Sequence, residues 1–186
     1  MKKTLRALAA VGAAALSLNT AAATNPSAAT ANSSQGDFLI TLELTPFIIV
    51  NSFEDMTLNA TANGDISQSQ DICVGGYGFD DYSITFESAN GSTGGAGTAA
   101  FELVGDAFGN VVPYGVAFAN NTTDTDGDPS TDGTMSSRFT RQGTAADCID
   151  NGAENARIFV SVDSDDWQDT DDATFNDTLT VTVSAI

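Results

Sequence analysis

The chain has no histidine, only two cysteines and a single tryptophan among its 186 residues. Without histidine the usual nucleophile and base pairs cannot be assembled, because serine and threonine hydroxyls need an adjacent proton acceptor to attack at neutral pH. Two thiols and no imidazole also fall short of a tetrahedral zinc set. Basic residues are scarce: three of the six precede residue 7, and only Arg138, Arg141 and Arg157 follow. Two-carboxylate glycoside hydrolysis stays arithmetically open with 25 acidic residues. No pair is singled out by its surroundings, so no enzyme activity is expected. After residue 23 no apolar residues recur at helical spacing beyond one turn, and no apolar run is long enough to span a bilayer.

The first 23 residues have the layout of an export signal. Lys2, Lys3 and Arg6 precede the apolar stretch 7–18, and Ala21, Ala22 and Ala23 offer a small-residue cleavage site. Residues 24–36 are low in hydrophobic bulk and form a flexible leader. Cleavage leaves about 163 residues, enough for one domain with a real core. It also leaves three arginines against all 25 acids, a formal charge of about −22. Such a surface repels nucleic acid and anionic lipid, so neither is an expected partner and no membrane insertion is expected. It suits salty surroundings, where self-repulsion is screened. In an oxidising compartment Cys73 and Cys148 are expected to form a disulfide. It would close a loop of about 75 residues, worth roughly 4.5 kcal/mol in the chain-entropy account.

What the chain does have is short alternating strands. The densest apolar run is 37–51, DFLITLELTPFIIVN. Phe38, Ile40, Leu42 and Leu44 share one face of an extended strand, and Pro46, which cannot donate to a ladder, separates it from a second strand over 47–50. Further strands are expected at 52–60, carrying Phe53, Met56 and Leu58, at 71–74 with Gly75 and Gly76 as the break, and at 82–87 with Tyr82, Ile84 and Phe86 inward. Others follow at 100–104, 111–118, 138–140, 156–162 and 177–186, with loops at 61–70, 90–97 and 120–134. The expected fold is all-β, an immunoglobulin-like β-sandwich of about seven strands. Trp167 lies outside the interval between the cysteines, so the antibody-type arrangement of a core tryptophan is not supported.

Two features of the sequence bear on ligands. Asp124, Asp126 and Asp128 stand at alternate positions, as in an oxygen-ligand loop for calcium. The EF-hand register fails there, since Pro129 replaces the glycine and Met135 the bidentate glutamate. A solvated acidic loop is the favoured reading, and the cluster Asp163, Asp165, Asp166, Asp169, Asp171 and Asp172 has still less ligand-like spacing. No cofactor is expected; calcium would bind either cluster weakly, by charge. The ends carry a different signal. An extra alternating strand stands behind a flexible leader, and the last strand finishes at the C-terminus. That layout suits donor-strand exchange, in which one subunit's N-terminal strand completes the next subunit's sheet. It equally suits a sandwich whose first strand is 38–44.

The segments DICVGGYGFDDYSITFES, VVPYGVAF, DCID and FNDTLTVTVSAI, with the export signal and the alternating strand near the mature start, resemble bacterial chaperone-usher pilins. Within that class they look most like the archaic group related to spore coat protein U domains, over most of residues 37–186. The chain differs in lacking a cysteine at 45–59 and in carrying the acidic tract 120–134. The resemblance implies a sandwich, 46–186, lacking its final strand and completed by donor-strand exchange. Segment 37–45 would be the donor strand, with Phe38, Ile40, Leu42 and Leu44 as donor residues and Cys73 with Cys148 as the intradomain disulfide. It implies a periplasmic pilus chaperone, an outer-membrane usher and neighbouring pilin subunits as partners. It also implies transit through the periplasm to an extracellular fimbrium that supports adhesion or biofilm formation. The competing expectation is a self-contained secreted β-sandwich that binds glycan or calcium through its loops.

Overall fold

A computed structural model of the chain describes residues 32–60, 64–92, 99–151 and 153–186. The export signal, most of the leader and most of the glycine-rich loop lie outside the described residues. The chain divides between Glu43 and Leu44, and the unit from Leu44 to Ile186 contains the sheets.

Eleven strands are present among the described residues: β1 (Phe47–Asn51), β2 (Ile66–Tyr77), β3 (Asp81–Ser88), β4 (Glu102–Gly105), β5 (Val111–Pro113), β6 (Gly115–Ala119), β7 (Asp128–Ser130), β8 (Phe139–Thr140), β9 (Ala156–Val162), β10 (Phe175–Asn176) and β11 (Leu179–Ala185). They form an antiparallel five-stranded sheet, β1-β2-β9-β6-β7, and two three-stranded sheets, β10-β4-β5 and β11-β3-β8. The fold is all-β, a β-sandwich. Alternation decides which side chains enter the core. Tyr82, Ile84 and Phe86 of β3 are buried, as are Val116 and Phe118 of β6 and Ile158, Val160 and Val162 of β9. Their alternate neighbours are more exposed along β3 and β9.

The long strand expected over 111–118 is two strands. Val112, Tyr114, Val116 and Phe118 are all buried, as the alternation predicts. The chain nevertheless leaves the ladder at Tyr114, so that β5 pairs with β4 while β6 pairs with β9 and β7. One segment thus joins two sheets, which side-chain periodicity does not register. Gly75 and Gly76 do not end β2 either: the strand runs through them, opposite Ile49 and Ile48. Gly75 is there for close approach. A Cβ at that position would come within 2.3 Å of the Thr144 carbonyl oxygen and 2.8 Å of Cys148 Sγ. The first half of β2, Ile66 to Gln70, falls in the expected loop, because its polar side chains hide a strand held by ladder bonds to β9.

β2 is covered on both faces. One face packs Ile72 and Val74 into the core; on the other, Cys73 is bonded to Cys148 in the π-helical turn Asp147–Asn151. Asn155 clasps the same strand, accepting from the Val74 N–H at 3.0 Å and donating to the Val74 carbonyl at 3.0 Å. Arg141 donates to the carbonyl oxygens of Phe79 and Gly76, at 3.0 and 2.7 Å, and lies over the Phe79 ring.

Candidate functional site

The expected strand over 38–44 is not formed: no strand spans residues 38–46, and among the described residues the first strand is β1. Phe38, Ile40, Leu42 and Leu44 are between 63% and 79% exposed. Four large apolar side chains at alternate positions in one short segment are therefore left in water, at about 25 cal/mol for each Å² that a partner could cover.

The second anomaly lies at the other end of the chain. β11 pairs with β3 from Leu179 opposite Ser88 to Ala185 opposite Tyr82, and forms the edge of its sheet. Among the described residues no strand pairs with its other edge. Leu179, Val181 and Val183 alternate inward as expected, yet they are only half-buried, whereas the matching residues of β3 are buried. β10, just before it in the chain, is likewise an edge strand, beside β4, with Phe175 half-buried. An edge of this kind offers unpaired N–H and C=O groups and an incomplete apolar surface together.

Two pockets lie nearby, the first of them a cleft beside this edge. That cleft, of about 370 Å³, is lined by Leu179 and Val181 of β11, Ile158 and Val160 of β9, and Phe53 and Met56. The other, of about 570 Å³, borders β10 and β4 and is lined by Leu58, Leu103, Trp167 and Phe175 among others. Trp167 closes the four-residue helix α1 (Ser164–Trp167), and its Nε1–H is buried without an acceptor. The strand expected over 52–60 is absent. From Ser52 the chain leaves β2, with φ at 71°, and Met56 and Leu58 pack half-buried against the core without entering a sheet. Apolar periodicity alone could not separate a paired strand from an extended segment lying across a cleft.

Polar contacts fix the rim. Tyr114 donates its hydroxyl to Asp177 Oδ2 at 2.5 Å, and Asp177 Oδ1 accepts from the Asn90 N–H. Burial first, and then the Asp177 carboxylate, push the Tyr114 hydroxyl well above its ordinary range, so it stays a donor. Residues 176 and 177, the joint between β10 and β11, are thereby held in place, with Asn90 Nδ2 donating to the Asn176 carbonyl.

Some of the acidic candidates make local contacts. Asp124 accepts from Asn121 Nδ2 at 2.7 Å, and its main-chain carbonyl accepts from Arg157 Nη1 at 2.9 Å. Arg157 is itself paired with Asp71 directly across the β2–β9 ladder, through two bonds of 2.6 and 3.0 Å. Asp128 opens β7, opposite Phe118, and Asp124, Asp126 and Asp128 line one shallow pocket beside Phe118 and Phe139. Among the described residues no group of three or more acidic side chains converges on a point that would hold a metal ion. From the second cluster, Asp172 is buried and accepts from the N–H groups of Ala107, Phe108 and Asn110 at 2.7, 2.9 and 3.0 Å. It fastens the β4–β5 turn, a role that residue spacing could not suggest.

No protein-family model matches the chain, and no curated protein matches it. A solved structure described as a chaperone-tip adhesin complex vital for synergistic activation of CFA/I fimbriae biogenesis is similar at 15% identity, with a TM-score of 0.45. The likeness covers 75% of this chain and 42% of that one, so the chain spans less than half the length of its counterpart.

Proposed function

We propose that this chain is a structural, non-catalytic subunit of a surface fimbria, built without a cofactor through donor-strand exchange. The observation that carries this reading is the open edge of β11, where Leu179, Val181 and Val183 stay half-buried beside a cleft. An apolar strand added there would bond to the free main chain and cover those side chains. Segment 37–45 has the composition for it, with Phe38, Ile40, Leu42 and Leu44 exposed at alternate positions. Supplied by a neighbouring copy, it links subunits head to tail, the heterologous arrangement that yields filaments. The sequence resemblance to archaic pilins extends the proposal to the rest of the route. A periplasmic chaperone shields the edge, an outer-membrane usher exports the subunit, and the assembled fibre supports adhesion or biofilm formation at the cell surface.

The test compares thermal unfolding of the mature chain from Thr24 with that of a chain starting at Phe47 in which residues 36–44 follow Ile186 through a short flexible linker. A large rise in Tm together with loss of polymerisation is the expected outcome. A stable monomeric parent that is destabilised by the moved strand would overturn the proposal and favour a self-contained binding module.

A further inference from the structure

Residues 53–56 border the cleft beside β11 and residues 57–60 the pocket beside β10, and the segment 52–60 has a second place to go. The β1–β2 ladder pairs Asn51 with Cys73. Extended without a bulge, the same register sets Phe53 against Asp71, Glu54 against Gln70 and Leu58 against Ile66, on the edge of β2 that β1 leaves open. The structure keeps a trace of this alignment, because Gln70 Nε2 donates to the Glu54 carbonyl oxygen at 2.7 Å, linking the two residues that the register would pair. Between the segment and Gln68–Asp71 lies a gap of about 630 Å³ where ladder bonds would otherwise run. Ser52 opens that gap. It is the one non-glycine residue at positive φ among the described residues, a conformation costly for any residue with a Cβ. The segment therefore behaves as a strand peeled from β2 and laid toward the core, where Met56 and Leu58 use apolar surface that an inserted strand would need.

We propose that residues 52–60 form a displaceable strap. In the subunit alone they partly cover the cleft beside β11; when a donor strand inserts, they zip onto β2 and extend the β1–β2 ladder toward Ile66. The inference rests on the donor-strand reading of the cleft, and adds to it a built-in barrier to insertion and a compensating gain of main-chain bonds. Ser52 is the hinge of the strap. A glycine there relieves the positive φ and favours the peeled state, whereas a β-branched valine penalises that state and favours the zipped one.

The experiment uses the full mature chain made unable to donate by Ile40→Asp and Leu42→Asp, mixed with a synthetic peptide of residues 36–45. Trp167, the only tryptophan, lines the pocket beside β10 that Leu58 borders, and reports movement of the strap by its fluorescence. Ser52→Val should speed peptide uptake about fivefold and Ser52→Gly slow it by a similar factor. Met56→Ser with Leu58→Ser should speed it about tenfold, since two side chains need no longer be lifted from the core. Backbone amides of residues 53–58 should gain protection from hydrogen exchange in the peptide-bound state. Uptake at the same rate in all variants, or in the reverse order, overturns the strap and leaves the donor-strand reading standing. No uptake by any variant, with no gain in Tm when the strand is moved to the C-terminus, overturns both.

Discussion

Asp172 shows what one side chain contributes to this fold. Burial would raise its pKa, but the N–H groups of Phe108, Asn110 and Ala107 outweigh it and hold the carboxyl below its ordinary value. Nothing larger than hydrogen fits opposite, since a Cβ on Gly105 would stand 2.1 Å from Asp172 Oδ2. Because the folded-state pKa is depressed, the stabilisation is fully present above the unfolded value, about 3.9. It is lost as the pH falls through the lower folded value. Asp172→Asn is therefore expected to lower Tm at neutral pH and to flatten the fall of Tm below about pH 4. Thermal melts of parent and variant at a series of acidic pH values check this; parallel curves would rule out the carboxylate as the source. Tyr82 makes a second local test. Its buried hydroxyl donates to Asn120 Oδ1 at 2.6 Å, so Tyr82→Phe should cost about 1–2 kcal/mol in denaturant unfolding.

At the scale of elements, the contrast between β3 and β11 matters most. The two strands are paired over seven residues, yet only β3 is covered on its core face. A charge on β3 would therefore break the fold, while Val181→Asp should leave the chain folded, with a loss of at most about 1–2 kcal/mol, and, on the donor-strand proposal, abolish polymerisation. Size-exclusion chromatography alongside circular dichroism separates these effects. The disulfide acts on another pair of elements, holding the Asp147–Asn151 turn against the outer face of β2. Replacing Cys73 and Cys148 together by serine should cost about 2–5 kcal/mol. Hydrogen exchange should show the loss first around Asn155 and Val74, which share the clasp next to it.

For the molecule as a whole, charge is the governing quantity. The described basic side chains include Arg157 in its pair with Asp71 and Arg141 bound to three main-chain carbonyl groups, which leaves the acidic excess largely unanswered. Adding salt from about 0.05 to 1 M shortens the Debye length from above 10 Å to about 3 Å. Tm is accordingly expected to rise over that range. A flat or falling Tm would show that self-repulsion is not what limits stability.

Much of this protein was legible in its residue order. Period-two alternation located β3, β9 and β11 and their buried faces, because that spacing is a property of the extended backbone and needs no partner. The absence of helical periodicity bounded the fold class, and the two cysteines are bonded to each other as expected. Pairing was not legible. That β5 and β6 belong to different sheets, that β2 continues through two glycines, that 52–60 is peeled away from β2 and that β11 has an open edge are all relations between segments distant in sequence. Alternation states which side of a strand is apolar; only the packed chain decides which edge finds a neighbour and which is left without one.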